Sequence, residues 1–215
     1  MIPDWLSNNL IEIFGAITGI IYVFLEIRQN IWLWPVGIVT SAVYIIVFFT
    51  SKFYADMSLQ VYYLVISIAG WVWWVKGARR GAEAAGQEKT DRLRDRQTAT
   101  PQDSKTVRLY VTRLTLKTSL ILSMVFILLY FLMWFVLSQL TDSPVPEWDS
   151  FITSLSVIAT WMLARKIYEH WYLWMIVNCT SVILFLTRGL YPTIILYVVY
   201  LVMSFVGLKE WKRSL

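Results

Sequence analysis

The feature that most constrains this chain is an internal repeat. Trp34 and Trp171 lie 137 positions apart, and the same offset, without a gap, joins Phe14 to Phe151, Arg28 to Arg165, Phe48 to Phe185, Thr50 to Thr187, Tyr54 to Tyr191, Tyr63 to Tyr200, Ser67 to Ser204, Gly70 to Gly207 and Trp74 to Trp211. Each copy holds three apolar runs. A unit that crosses a membrane three times ends on the side opposite its start, so two copies share one orientation only if an odd number of spans lies between them. Three spans, one connector and three spans are therefore predicted, with the two three-helix repeats parallel. Parallel repeats related by an axis along the membrane normal are a transporter arrangement, the solute being held near midplane between the halves.

Composition points to lipid as well. With 58% hydrophobic and 15% charged residues, and a mean hydropathy of +0.58, the chain has too little polar surface to cover a soluble core. Apolar runs occur at 8–27, 31–50, 57–75, 116–138, 150–168, 171–187 and 192–210, against a requirement of about 20 residues per helical span. The predicted fold is an all-α integral membrane protein of seven transmembrane helices. Residues 1–76 form the first repeat, 77–115 a charged linker, 116–140 the connector helix and 150–215 the second repeat. Residues 1–9 carry Asp4 and neither Lys nor Arg, unlike a secretory signal, so the opening run counts as the first span.

With seven spans, Arg28, the linker, Arg165, Lys166, Lys209, Lys212 and Arg213 fall on one side, and Lys52 and Arg188 on the other. The positive-inside rule makes the basic side cytoplasmic, with the N-terminus outside and the C-terminus inside, as expected in a bacterial inner membrane. The net charge of +5 then reads as topology and contact with anionic lipid headgroups, and nucleic acid is not an expected partner. The linker is expected to be a mobile cytoplasmic strap, partly helical near 83–96, and the basic stretch 108–117 is suited to lie on headgroups.

Enzyme chemistry finds little purchase. His170 and Cys179 are the sole histidine and cysteine, so neither a His/Cys metal cluster nor an internal disulfide is expected. No Walker-type phosphate loop is present, and no cofactor is implied. His170 is expected at the headgroup interface and Cys179 as a small buried packing residue, while Trp5, Trp32, Trp73, Trp74, Trp148 and Trp211 fit an interfacial aromatic belt.

Aromatic and amide side chains recur at helical spacing. Trp171, Trp174 and Asn178 share one helix face at i, i+3 and i+7; Gln60, Tyr63 and Ser67 do the same in the third span, and Tyr200 and Ser204 repeat the last two. A buried amide in lipid needs partners, so Asn178 and Gln60 should face the bundle or a wet cavity. Tryptophan faces attract a flat cationic ring, which amides then orient. Glu12 and Glu26 lie near the ends of the first span, facing either the pocket or the interface; no buried carboxylate for ion coupling is evident.

These residues resemble a known family, the PnuC-type vitamin transporters. Trp171-Tyr172-Leu173-Trp174-Met175-Ile176-Val177-Asn178 is similar to that family's Trp-x-x-Trp-x-x-x-Asn motif, and Phe53-Tyr54-Ala55, Leu59-Gln60, Gly70-Trp71, Arg165-Lys166 with Glu169, and Leu190-Tyr191 match further. The resemblance implies two three-helix bundles joined by a connector, as in sugar transporters of the SWEET type, assembled as a homotrimer. It implies facilitated diffusion of an unphosphorylated B-vitamin that a cytoplasmic kinase then traps. Candidate binding residues are Trp171, Trp174, Asn178, Gln60, Tyr63, Trp34, Thr40, Tyr200 and Ser204.

Substrate choice turns on the second span. Nicotinamide riboside transporters of this family read Asn-Tyr-Phe-Phe-Gly there, with an amide three residues after the glycine; this chain has Leu33-Trp34-Pro35-Val36-Gly37 and Thr40. A site that rewards ribose hydroxyls needs donors and acceptors aimed at them. The less polar pair favours thiamine, with nicotinamide riboside as the alternative. A vitamin-sensing receptor needs an ordered cytoplasmic surface and a membrane-embedded enzyme needs convergent ionisable groups; the sequence offers neither pattern.

Overall fold

A computed structural model describes residues 10–50, 54–94, 111–140, 144–188 and 191–215. Seven helices run through them: α1 (Leu10–Ile27), α2 (Leu33–Thr50), α3 (Tyr54–Arg94), α4 (Leu116–Leu140), α5 (Pro146–Ala164), α6 (His170–Arg188) and α7 (Tyr191–Lys212). Helix α2 packs on α1 and α3, and α6 on α5 and α7; the halves meet where α1 touches α7 and α3 touches α5, while α4 packs against α5. Four segments are long and apolar enough to cross a membrane by length and composition, Met57–Gly77, Leu116–Gln139, His170–Thr187 and Thr193–Lys212, with shorter apolar helices at Ile13–Ile27 and Leu33–Phe49. The all-helical expectation holds among the described residues. Helix α5 carries Glu147 and Asp149 in its first turn and buries Ser150, Ser154, Ser156 and Thr160, so its polar groups point into protein.

The sequence repeat is repeated in space. Helix α1 ends in a Schellman turn: the Asn30 N–H donates to the Leu25 carbonyl at 2.9 Å and the Gln29 N–H to Glu26 at 2.9 Å. Helix α5 ends identically, Ile167 N–H to Met162 and Lys166 N–H to Leu163, both at 2.9 Å. The left-handed residues are Gln29 (φ 51) and Lys166 (φ 54), repeat mates whose side chains meet, Lys166 Nζ donating to Gln29 Oε1 at 3.4 Å. That contact puts both turns at one end of the molecule, the end that gathers Arg28, Arg165, Lys209 and Lys212.

Tryptophans knit each half and then join the halves. Trp34 stands edge-on to Trp74 (5.4 Å, 88°) and Trp171 to Trp211 (5.9 Å, 81°). The Trp34 ring lies against Gly70 and the Trp171 ring against Gly207, where a β-carbon would come within 2.6 Å of three ring atoms in either case. Trp74 Nε1 donates across the interface to the Ala164 carbonyl (3.2 Å) and Trp211 Nε1 to that of Glu26 (3.0 Å). Trp74 (3% exposed) and Trp211 (0%) are therefore core residues and not part of an aromatic belt. Trp32 and Trp148 are exposed as a belt requires, Trp73 lies under the Arg165 guanidinium at 5.1 Å, and Trp5 lies outside the described residues.

Of the remaining expectations, that of a buried Cys179 is corrected. Helix α3 continues unbroken to Arg94, because 78–94 is rich in Ala and long charged residues of good helix propensity; residues 95–110 lie outside the described part. The stretch after it packs on the second half along 111–115. There Thr112 pairs with the α5–α6 turn (N–H to Lys166 carbonyl, 3.0 Å; carbonyl from Tyr168 N–H, 2.9 Å) and the Leu114 N–H donates to Glu169 Oε2 at 2.8 Å. Cys179 is exposed on the outer side of α6, since Asn178 beside it takes the inward position.

Candidate substrate cavity

A cavity of about 330 Å³ lies between the halves and is lined by all six repeat helices. From α1 come Gly15, Gly19, Tyr22 and Glu26 at i, i+4, i+7 and i+11, a single stripe; α2 adds Gly37, Thr40 and Ser41, and α3 adds Gln60, Tyr63 and Ser67. The second half supplies Ser156 and Thr160, then Trp171, Trp174 and Asn178, then Tyr197, Tyr200 and Ser204. Of the residues singled out from sequence, Trp171, Trp174, Asn178, Gln60, Tyr63, Thr40, Tyr200 and Ser204 line this space. Trp34 does not: it is fully buried against Gly70 and Trp74, which makes it a packing residue.

The lining departs from the two-fold relation where recognition would need it. Trp174, Asn178 and Tyr197 are the repeat mates of Gly37, Ser41 and Gln60, so one wall is bulky and aromatic while the facing wall is small and polar. Gly37 is close-packed in its own right, a β-carbon there meeting Ser67 Oγ at 2.9 Å. Asn178 is fixed by its neighbour: Nδ2 donates to Ser204 Oγ at 3.2 Å, and that hydroxyl donates to the Tyr200 carbonyl at 2.8 Å. One of the two Asn178 Nδ2 hydrogens is thus committed to the protein, and the bond fixes the direction in which the amide faces the cavity. Thr40 Oγ1, Trp171 Nε1 and Trp174 Nε1 are buried polar atoms with no partner in the protein; such atoms are rare unless something pairs with them.

The acidic end of the cavity corrects two expectations. His170 is not at a headgroup interface but fully buried, with Nε2 3.0 Å from Glu26 Oε1 and Nδ1 2.7 Å from the Ile167 carbonyl. Glu26, 1% exposed, is a buried carboxylate after all. Spacing alone placed it near a helix end, and only the fold shows that α6 begins opposite. Tyr197 and Ser41 were also missed, although the repeat points to both as mates of Gln60 and Asn178. Tyr22, Ser156 and Thr160 carry no motif, and only the α1 and α5 stripes single them out. Leu33, used above as a sign of a less polar pocket, is fully buried in the apolar cluster beside Trp34 and does not line the cavity.

A helical membrane protein with a sheltered cavity between two repeated halves has the form of a small-solute carrier. The nicotinamide mononucleotide transporter family model matches residues 9–213, and the chain belongs to that family; it is a vitamin transporter of PnuC type. The nicotinamide riboside transporter PnuC of Escherichia coli (strain K12) is 26% identical over 212 residues, covering 95% of this chain and 85% of that one. The riboflavin/roseoflavin transporter RibM of Streptomyces davaonensis is 21% identical over 218 residues, covering 97% and 92%. The crystal structure of the vitamin B3 transporter PnuC superposes with a TM-score of 0.68 at 21% identity, covering 97% of this chain and 83% of that one. The expectation of thiamine finds no support among these relatives.

Proposed function

We propose that this chain carries nicotinamide riboside across the bacterial inner membrane by facilitated diffusion, with the solute seated between Trp174 and the small polar wall of Gly37, Thr40 and Ser41. The observation that carries the reading is the cavity lined from all six repeat helices, within the range of about 300–1,000 Å³ typical of ligand sites. The Trp171 and Trp174 indoles suit a flat pyridinium ring, and the Asn178 and Gln60 amides suit its carboxamide. The hydroxyls of Thr40, Ser41, Ser156 and Thr160 suit ribose. Family membership and the similarity to the nicotinamide riboside transporter of Escherichia coli support the same substrate, whereas RibM is named for riboflavin.

On this reading the two halves rock about the cavity in a three-one-three arrangement, supported by the cross-half contacts of α1 with α7 and α3 with α5. The N-terminus lies outside, the chain assembles as a homotrimer, and a cytoplasmic kinase traps the vitamin. Calorimetric titration of purified protein with nicotinamide riboside, riboflavin and thiamine tests the substrate, and uptake into vesicles containing this protein alone tests transport. Tightest binding and saturable uptake of nicotinamide riboside are expected. Tighter binding of thiamine or riboflavin, or binding of nicotinamide riboside without flux, would overturn the reading.

A further inference from the structure

We infer that Glu26 sets the cavity's preference for a cationic ring over an uncharged one, with His170 as the positioning residue that holds its carboxylate; this rests on the substrate reading above. Among the described residues that line the cavity, Glu26 is the one charged side chain, and no Lys or Arg accompanies it.

The repeat supplies an internal control. The mates of Glu26 and His170 are Leu163 and Leu33, both fully buried in the apolar cluster at the junction of the halves. The same position in the fold is thus filled once by two leucines and once by an acid and a histidine. Burying an ionisable pair contributes little stability compared with apolar side chains of similar size. Stability alone therefore favours leucines in both places, and the departure falls on the side where Glu26 reaches the cavity.

Geometry fixes how the pair is oriented. A carbonyl oxygen only accepts, so His170 Nδ1 donates to Ile167 at 2.7 Å; the 3.0 Å contact between Nε2 and Glu26 Oε1 then needs a single shared proton. The imidazole is wedged between the Trp171 and Trp211 rings, with centroids at 4.7 and 4.6 Å, so its orientation is fixed from both sides. The Glu26 carboxyl group is thereby held at the cavity wall. Its backbone is pinned too, because Trp211 Nε1 donates to the Glu26 carbonyl at 3.0 Å.

The test compares two ligands of nearly one shape: nicotinamide riboside, whose ring is a cation, and its 1,4-dihydro form, whose ring is neutral. Wild-type protein is expected to bind the cation at least about tenfold tighter. Glu26→Gln should bring the ratio to about twofold or less while keeping the dihydro form bound. His170→Gln, whose amide still donates to the carboxylate, should retain the preference, and His170→Leu should lose it. If Glu26→Gln fails to fold, the double variant Glu26→Leu/His170→Leu copies the leucine pair that the fold already accommodates, and the same collapse of the ratio is expected. An unchanged ratio in Glu26→Gln or in the double variant overturns the inference while leaving the substrate reading intact. Failure of wild type to bind either form overturns both.

Discussion

Replacing Gly70 or Gly207 by alanine should separate packing from recognition, because the two glycines do the same steric job beneath tryptophans with different exposure to the cavity. A β-carbon at either site falls within 2.6 Å of three ring atoms, whereas nonbonded carbons rest at about 3.5–4.0 Å. The indole must therefore move by about 1 Å. It has little room to do so, since Trp34 and Trp171 are 0% and 1% exposed and each is braced edge-on by Trp74 or Trp211. Overpacking of this kind costs about 1–3 kcal/mol. At about 2–4 °C per kcal/mol for a chain of this size, the melting midpoint in detergent should fall by about 2–12 °C in each variant, read by intrinsic tryptophan fluorescence. Binding should then distinguish them: Trp171 lines the cavity and Trp34 does not, so Gly207→Ala should weaken nicotinamide riboside affinity several-fold and Gly70→Ala should leave it near wild type. Unchanged melting in both variants, or a larger binding loss from Gly70→Ala, would refute the assignment of Trp34 to packing.

Trp174→Ala should cost about tenfold to a hundredfold in affinity by removing a stacking face, and Asn178→Leu about 1 kcal/mol or more, with the exposed Trp148→Ala binding normally; titration reads all three. Flux in vesicles should run in both directions and ignore imposed sodium or proton gradients, because the Glu26 carboxyl group is already paired with His170; uphill accumulation driven by a pH step would show that this pair exchanges a proton during the cycle. For topology, Thr90→Cys and Ser143→Cys in a Cys179→Ser background are treated with an impermeant thiol reagent on intact cells. Position 143 should label and position 90 should not, and the reverse pattern would invert the orientation.

Much of this was legible in the chain because the repeat and the helical spacing are both local patterns. The stripe of Trp171, Trp174 and Asn178 needed only a 3.6-residue period, and Gln60, Tyr63, Tyr200 and Ser204 followed from register. What failed were inferences about depth and facing. Trp74 and Trp211 have the composition of belt residues, yet each donates to a carbonyl of the opposite half, a partner that no sequence period reveals. His170 looked interfacial because it begins a helix, and its burial depends on where α1 ends, 144 residues earlier. Trp34 was misread for the opposite reason. It shares a register position with Trp171, but the second half reaches the cavity there and the first half does not.

The contact between Lys166 and Gln29 has a consequence for ancestry. In a dimer of identical chains, a residue lying on the two-fold axis meets its own copy, and Gln29 and Lys166, as repeat mates in contact, occupy such a position. A lysine at that position would face a lysine, and like charges repel. An acid at position 26 would likewise require an acid at its mate, where Leu163 now stands. In a single polypeptide that demand for self-complementarity does not apply, and each position is free to differ from its mate. Half-molecules expressed separately should therefore assemble with each other in preference to either pairing with itself, and the cavity should form only in the mixed species.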